Sequence, residues 1–304
     1  MREGRSASIH SRVGLLLVVM VTAGCGGTVG SPSADASATQ TASIGPGRST
    51  EPSPGASGLE AELVTAGRLT YCTNLRPGRM GFLDENGEPA GVNIELAQEI
   101  AVRLGLEAEI RETPFEDLID DVADGACDMS ISSQHITQTR LGRIDMLPYT
   151  QGVQHVVVQA GNPAGIVQLT DLCGKILAVQ TGSTHVDLVL GQGDHSGAGI
   201  DRDCAAAGQP KVDLLEFDDD ADAIEALADG SADAYIGSDT ITVDRPAEFD
   251  LATPLPPIRN GIGLPKDHPA LQAAVGGVFQ AMIDDGTYQA ILEQFGVGDN
   301  SIAN

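Results

Sequence analysis

Basic side chains are scarce in this chain. Its 304 residues include 17 lysines and arginines against 43 aspartates and glutamates, which gives a formal net charge of -26. A nucleic-acid-binding protein needs a basic surface to meet the phosphates, so the composition argues against that class. We interpret the excess of acidic residues as a source of solubility.

Sequence motifs for metal, redox and hydrolase chemistry are missing as well. The six histidines are dispersed without an HExxH pattern, and no CxxC or GxSxG motif occurs. The acidic residues Asp218 to Asp220 and Asp222 lack the spacing of an EF-hand loop, and we interpret them as the acidic first turn of a helix. We therefore predict neither a metal nor a cofactor. From residue 59 onward no apolar run of about twenty residues occurs, so no membrane-spanning helix is predicted there.

The first 58 residues have the composition of an export signal followed by a linker. Basic residues precede an apolar run, Val13 to Val21, that is too short to cross a bilayer. Thr22-Ala23-Gly24-Cys25 then resembles a bacterial lipobox, although Thr22 stands where leucine or valine is usual. This resemblance implies a signal peptide over 1–24, acylation of Cys25 and a protein anchored on the outer face of the cell membrane. The alternative is an ordinary secretory signal with an incidental cysteine. The small and polar residues of 25–58 predict a disordered tether.

Four cysteines follow Cys25, and an even number in an exported chain indicates disulfides. We predict that Cys173 pairs with Cys204 and that Cys72 pairs with Cys127. For the second pair, buried free thiols are the alternative.

From residue 59 onward, short apolar strands alternate with amphipathic helices, which favours parallel sheets with crossover helices. The first unit has predicted strands at 68–74, 106–110 and 127–133, a helix around Leu96 that ends at Gly105, and a helix at 115–123. A predicted strand at 153–159 precedes the second unit, which has predicted strands at 175–180, 212–217 and 232–237, with Asp220 capping a helix. The Gly- and Asp-rich segment 191–208 is predicted to be a surface loop, and helices at 271–283 and 287–295 close the chain. Two such units predict two α/β lobes with a ligand cleft between them.

The segment Asp128 to Arg140 runs from the end of a strand into a loop that ends in a cation. Hydroxyl groups at a strand end with an arginine nearby are suited to binding a carboxylate, although Arg140 on its own is equally an ordinary solvated arginine. Asp128, Ser132, Ser133, Ile136, Thr137 and Arg140 match, without a gap, a motif of the polar amino-acid-binding proteins of ABC importers. The chain resembles this family, solute-binding protein family 3, over about residues 59 to 297.

The resemblance implies a type II periplasmic-binding-protein-like fold, with lobe 1 formed by 59–156 and 259–304 and lobe 2 by 157–258. It implies that Arg140, Ser132 and Ser133 bind the carboxylate and amine of an amino acid, and that Gly182, Ser183 and Thr184 bind the carboxylate from the other lobe. The hinges are expected near 154–159 and 259–263. The implied partners are a small ligand and the permease of an importer, with the protein itself a monomer.

Several positions depart from the family pattern. An aromatic-rich turn of the family is replaced by Pro77-Gly78-Arg79-Met80, while Phe82 keeps one aromatic place. Met80 is predicted to pack on the ligand side chain more adaptably than an aromatic residue and to offer less cation-π attraction. His135 stands where serine or threonine is usual, and it is predicted to bind an acidic or amide side chain or to act as a pH-sensitive wall.

The carboxylate that binds the ligand ammonium is displaced by one residue. The family spacing, counted from Asp233, places Ser238 where an aspartate is usual, and Asp239 follows. We expect a bulge to turn Asp239 inward, because an unpaired ammonium in a closed cleft is costly. If Ser238 faces the cleft instead, the ligand is not a standard α-amino acid.

The resemblance thus predicts an extracytoplasmic binding lipoprotein that captures a small polar solute for an importer. Two alternatives are a dehydratase-like enzyme on the same fold and a sensor domain. The absence of paired cleft carboxylates in the predicted site argues against the enzyme.

Overall fold

A computed structural model describes residues 54–76, 78–238, 240 and 244–303. All of them belong to one compact unit, Glu51–Asn304. The predicted signal peptide, Cys25, most of the tether and Asp239 lie outside the described residues. No described helix combines the length and the apolar character needed to cross a membrane.

Two five-stranded sheets organise the described chain. The first has the strand order β4-β1-β5-β12-β6 and the second the order β11-β7-β10-β8-β9. Strands β1, β4 and β5 run parallel, as do β8, β9 and β10, and antiparallel strands complete each sheet. The strands are β1 Arg68–Thr73, β2 Phe82–Leu83, β3 Pro89–Ala90, β4 Glu107–Glu112, β5 Met129–Ser130, β6 Asp145–Gly152, β7 Gln154–Gln159, β8 Ile176–Gln180, β9 Asp213–Phe217, β10 Ala234–Ser238, β11 Phe249–Pro254 and β12 Ile258–Leu264.

Helices cover both sheets. The described α-helices are α1 Pro54–Glu62, α2 Val92–Leu104, α3 Leu118–Ala123, α4 Gln138–Leu141, α5 Thr184–Leu190, α6 Ile200–Ala206, α7 Asp220–Ala228, α8 Pro269–Asp284 and α9 Thr287–Gln294. Short 3-10 helices lie at Phe115–Asp117, Leu169–Leu172, Gly193–His195 and Gly298–Asn300.

Helix α2 forms where the apolar periodicity predicts it. Its buried residues include Leu96 and Ile100, and the helix ends where Gly105 adopts a left-handed conformation with φ 75°. That conformation is easily reached only by glycine, which explains why the helix stops there. The buried face packs into a core that contains three fully buried tyrosines, Tyr71, Tyr149 and Tyr288.

The second sheet is buried on both faces. Val156 and Val158 of β7 belong to one apolar cluster, whereas Val157 between them belongs to another. Because side chains alternate along a strand, this arrangement requires apolar cover on each side of the sheet.

Three local predictions need correction. The carboxylate of Asp219, not that of Asp220, caps α7 by accepting a hydrogen bond from the Ala221 N–H. The segment predicted as a surface loop at 191–208 contains α6. Apolar residues of this helix, such as Ile200, pack into the core of the second sheet. Strand β5 has two residues, fewer than predicted.

Both predicted disulfides are present, Cys72–Cys127 and Cys173–Cys204. The second bond connects α6 to the segment before β8, so the 191–208 insertion is fixed at its far end.

The chain passes between the two sheets twice. It leaves the first sheet after Gly152 and enters the second at Gln154, and it returns between Pro254 and Ile258. The lobe boundaries and the two hinges stay predictions.

Candidate ligand-binding cleft

A cavity of about 290 Å³ is lined by residues attached to both sheets. Seven of the residues predicted from sequence line it, namely Met80, Ser133, His135, Arg140, Ser183, Thr184 and Ser238. They come from distant parts of the chain, so the fold is what assembles them.

Arg140 is positioned by its own short helix. Thr137 caps α4 by accepting a hydrogen bond from the Arg140 N–H at 3.1 Å. The guanidinium donates to the carbonyl oxygens of His135 at 3.0 Å and Gly182 at 3.2 Å. Burial lowers the pKa of Arg140 to about 10, which leaves the side chain charged at neutral pH.

The Arg140 guanidinium donates its hydrogen bonds to backbone carbonyl oxygens and not to a carboxylate. The charges of Asp187 and Asp194 act on it, but no ion pair within the described part of the chain contains Arg140. A cation that has lost part of its contact with water is stabilised by an anion at bonding distance, so this partly buried position favours a carboxylate ligand.

Two histidines form one wall of the cavity. Nδ1 of His135 lies 2.6 Å from Oγ1 of Thr184, and the His135 and His185 rings meet edge to face at 5.6 Å. Burial, assisted by the charges of Arg76 and Arg140, lowers the pKa of His185 to about 4. Burial also lowers the pKa of His135 well below its ordinary value. Both rings are therefore neutral at physiological pH.

Four polar atoms of the cavity wall are buried without a hydrogen-bond partner in the described structure. They are Oγ of Ser133, Oγ of Ser183, Nε2 of His185 and Oδ1 of Asn260. Buried polar atoms are nearly always paired, so a cluster of unpaired ones indicates a place where a polar ligand or water binds. Ser133 also adopts a positive φ of 53°, an unusual conformation for a residue with a side chain.

Arg76 is a cavity residue that sequence reasoning missed. It follows β1, just as Arg140 follows β5, and the adjacent parallel strands place both arginines at one end of the sheet. Its guanidinium donates to Oε1 of Gln180 at 2.7 Å. The position of Arg76 after a predicted strand was a usable signal, because ligands of such folds bind at the carboxyl ends of strands.

Three predicted residues do not line the cavity. Phe82 packs edge to face on Phe295, with ring centroids 6.3 Å apart. Oγ of Ser132 accepts a hydrogen bond from the Asn74 N–H at 3.0 Å. Gly182 takes part through its carbonyl oxygen, which binds Arg140.

The two sheets are held close together around the cavity. Arg79 and Asp244 form an ion pair at 2.6 Å, and the carboxylate of Asp194 accepts from the N–H of Gln138 at 2.6 Å. A Cβ on Gly182, whose φ is 72°, would lie 2.7 Å from Cα of Glu116. This close approach requires glycine, and it shows that the cleft is closed in this structure.

Two α/β halves that close over a small cavity with several converging polar groups define a two-lobed solute-binding protein. A sequence model of the family described as bacterial extracellular solute-binding proteins, family 3, matches residues 69–298, and the chain belongs to this family. The fold class predicted from the sequence is confirmed.

Relatives and solved structures agree with this assignment. The chain is 26% identical over 226 residues to the L-cystine-binding protein TcyJ of Escherichia coli strain K12, covering 70% of this chain and 77% of the relative. It is 26% identical over 247 residues to the arginine-binding protein ArgT of Corynebacterium glutamicum, covering 77% and 76%. An ancestral arginine-binding protein bound to arginine superposes with a TM-score of 0.66 at 29% identity, covering 76% of this chain and 98% of that one.

Proposed function

We propose that this protein captures an amino acid in the cleft and delivers it to the permease of an ABC importer. The observation that carries the proposal is the partly buried Arg140 cation, which forms no ion pair in the described structure and lines the same cavity as the unpaired hydroxyls of Ser133 and Ser183. The family membership and the amino-acid ligands named for TcyJ and ArgT support it.

In the proposed complex, the ligand α-carboxylate binds Arg140. The bonds to the His135 and Gly182 carbonyls use two of the five N–H groups of the guanidinium. The hydroxyls of Ser133 and Ser183 donate to the same carboxylate, and Thr184 contributes from the second half. We assign the ligand ammonium to Asp239, with Ser238 as the alternative.

Capture proceeds by closure of lobe 2, residues 157–258, on lobe 1, residues 59–156 and 259–304. The hinges are assigned to 154–159 and 259–263. Closure removes the charged ends of the ligand from water and pairs them with protein groups, which provides selectivity. The closed protein then docks on the permease as a monomer.

A thermal-shift screen of the mature protein, beginning at Cys25, tests the capture proposal. Stabilisation that grows with the concentration of one α-amino acid is expected, since a ligand that binds only the folded state raises its stability. Arg140→Ala is expected to abolish the shift, whereas Arg143→Ala, on the exposed side of the same segment, retains it. A full shift in Arg140→Ala would overturn the site assignment.

The proposed location is the outer face of the cell membrane, with Cys25 as the lipid attachment site. Cys25→Ser is expected to move the protein from the membrane fraction to the medium or periplasm. Continued membrane retention of this variant would contradict the lipoprotein proposal without affecting the ligand proposal.

The proposed action is binding without turnover. A captured amino acid is expected to be recovered chemically unchanged after long incubation with the protein, as judged by NMR. Appearance of a dehydrated product would instead establish the enzymatic alternative.

A further inference from the structure

Among the described lining residues of the cavity, arginines outnumber carboxylates, although the protein as a whole is strongly acidic. The chain carries a net charge of -26, yet the described lining residues include four arginines and three carboxylates. The arginines are Arg76, Arg79, Arg140 and Arg245, and the carboxylates are Asp220, Asp244 and Glu225.

Two of these arginines are already neutralised. Arg79 pairs with Asp244 at 2.6 Å, and Arg245 pairs with Glu225 at 2.6 Å and with Glu248 at the same distance. Short charge-assisted bonds of this kind satisfy both partners. The positive charge available to a ligand therefore comes from Arg76 and Arg140.

The pairing of Arg76 is weak in comparison. Its nearest described carboxylate, that of Asp220, lies 3.8 Å away, and the other oxygen of that carboxylate accepts the Tyr235 hydroxyl at 2.7 Å. The short bond that Arg76 makes goes to the neutral amide of Gln180. Only 19% of the Arg76 side chain is exposed, so water does little to solvate this cation.

The two cations share one end of the cavity. Arg76 and Arg140 both lie over the ring of Phe115, with guanidinium carbons 5.4 and 5.6 Å from its centroid. A single small ligand can therefore reach both. The neutral His185 ring nearby is consistent with this positive charge. Burial is the main cause of its lowered pKa, and the charges of Arg76 and Arg140 lower it further.

We propose that the cleft selects an acidic amino acid, whose α-carboxylate binds Arg140 and whose side-chain carboxylate binds Arg76. This inference rests on the proposed function and adds the class of substrate to it. A basic side chain in the same place would meet the Arg76 guanidinium, and like charges in a closed site repel. The ligand class thus differs from that named for the arginine-binding relatives.

Isothermal titration of the mature protein with L-glutamate, L-aspartate, L-glutamine, L-asparagine, L-arginine and L-cystine tests the proposal. Glutamate or aspartate is expected to bind at least about tenfold more tightly than its amide, because the amide cannot form the charged pair with Arg76. Equal or tighter binding of the amides, of arginine or of cystine would overturn the acidic preference and leave the capture function intact. If none of the six binds and another amino acid stabilises the protein in the thermal-shift screen, the acidic preference is overturned as well. If no amino acid acts in either assay, the capture function itself is overturned.

The variant Arg76→Gln tests whether Arg76 is the residue that causes the preference for the acidic ligand over its amide. This variant is expected to lose about tenfold in affinity for the acidic ligand and less than about threefold for the amide, so the preference disappears. Arg79→Gln is the matched control, since it breaks a closure contact with Asp244 and is expected to weaken both ligands alike. If Arg76→Gln weakens both ligands equally, Arg76 acts in closure rather than in selection. If that variant does not fold, the comparison of acid with amide in the wild-type protein decides the matter alone.

Discussion

The carboxylate of Asp194 accepts two hydrogen bonds from Thr139, one donated by the Thr139 backbone N–H and one by the Thr139 hydroxyl, both at 2.8 Å. Thr139 belongs to the short helix that carries Arg140, whereas Asp194 lies on the insertion before α6, in the other half of the protein. Desolvation raises the pKa of Asp194, but the hydrogen bonds from Gln138 and Thr139 together lower it below its ordinary value. These contacts connect closure of the cleft directly to the position of the arginine.

Asp194→Ala is expected to increase the ligand dissociation rate several-fold and to change the association rate little. The reason is that the bonds to Thr139 exist only in the closed form, which must open before the ligand leaves. Stopped-flow fluorescence with a labelled protein measures both rates. Asp203→Ala removes an exposed carboxylate of the adjacent α6 and serves as the control; equal rates in the two variants would argue against a closure contact.

Ser133→Ala and Ser183→Ala are expected to lower ligand affinity without lowering the free energy of unfolding. Neither hydroxyl forms a well-aligned hydrogen bond in the described structure, so its removal is expected to cost the fold little. Ser132→Ala is the contrasting variant: it removes the acceptor of the Asn74 N–H and is expected to cost about 1 kcal/mol of stability. Urea denaturation and titration calorimetry on the three variants separate the two effects. Destabilisation of all three by a similar amount would contradict the distinction.

His185 is expected to make the ligand-free closed protein less stable as the pH falls from about 6.5 to about 4. Its pKa in the folded protein is about 4 against an ordinary value of 6.5, so in this window the unfolded chain binds more protons than the folded one. The stability contributed by the neutral ring is complete above the ordinary pKa and is lost as the pH falls toward the folded value. This shift corresponds to about 3 kcal/mol.

The measurement is the free energy of unfolding of wild-type protein and His185→Gln at several pH values between 4 and 7. The variant is expected to show a flatter dependence over that range, because its side chain does not titrate. Parallel curves would show that other groups account for the acid sensitivity.

Removal of the Cys173–Cys204 bond is expected to cost about 2 to 4 kcal/mol, since the bond closes a loop with a sequence separation of 31. The double variant Cys173→Ser with Cys204→Ser, denatured in urea, measures this cost. The same bond fixes α6, and Asp194 lies just before this helix. Because loss of the bond is expected to loosen the contact between Asp194 and Thr139, ligand dissociation is expected to accelerate as well. Unchanged dissociation would show that Asp194 is held independently of the bond.

The elements with strong local patterns were predictable from the sequence. The apolar face of α2 and its stop at Gly105 depend on residues within a few positions of one another. The even number of cysteines after Cys25 predicted disulfides but did not by itself determine the pairing; both expected pairs are present. Helix α6 was not predictable from the same signals. Its segment is rich in glycine and aspartate, and it folds because Ile200 and Cys204 reach a distant apolar cluster.

The cavity was only partly predictable, because its walls depend on tertiary contacts. Phe82 packs on Phe295, near the other end of the chain. The Ser132 hydroxyl accepts a hydrogen bond from the N–H of Asn74, 58 residues earlier. The contribution of Arg76 depends on closure, which brings Gln180 of the other half within bonding distance. No local pattern encodes such pairings.

The strand order of the first sheet has a consequence for how the chain acquires its structure. Strand β12, Ile258–Leu264, lies between β5 and β6, yet it follows the whole second sheet in sequence. When the chain is synthesised from its N-terminus, the first sheet therefore has a gap between β5 and its edge strand β6 until residue 264 appears. The second sheet has all its strands by residue 254. Such late, long-range pairing slows folding. The half that begins first is expected to be completed last, after the intervening half has already formed its core.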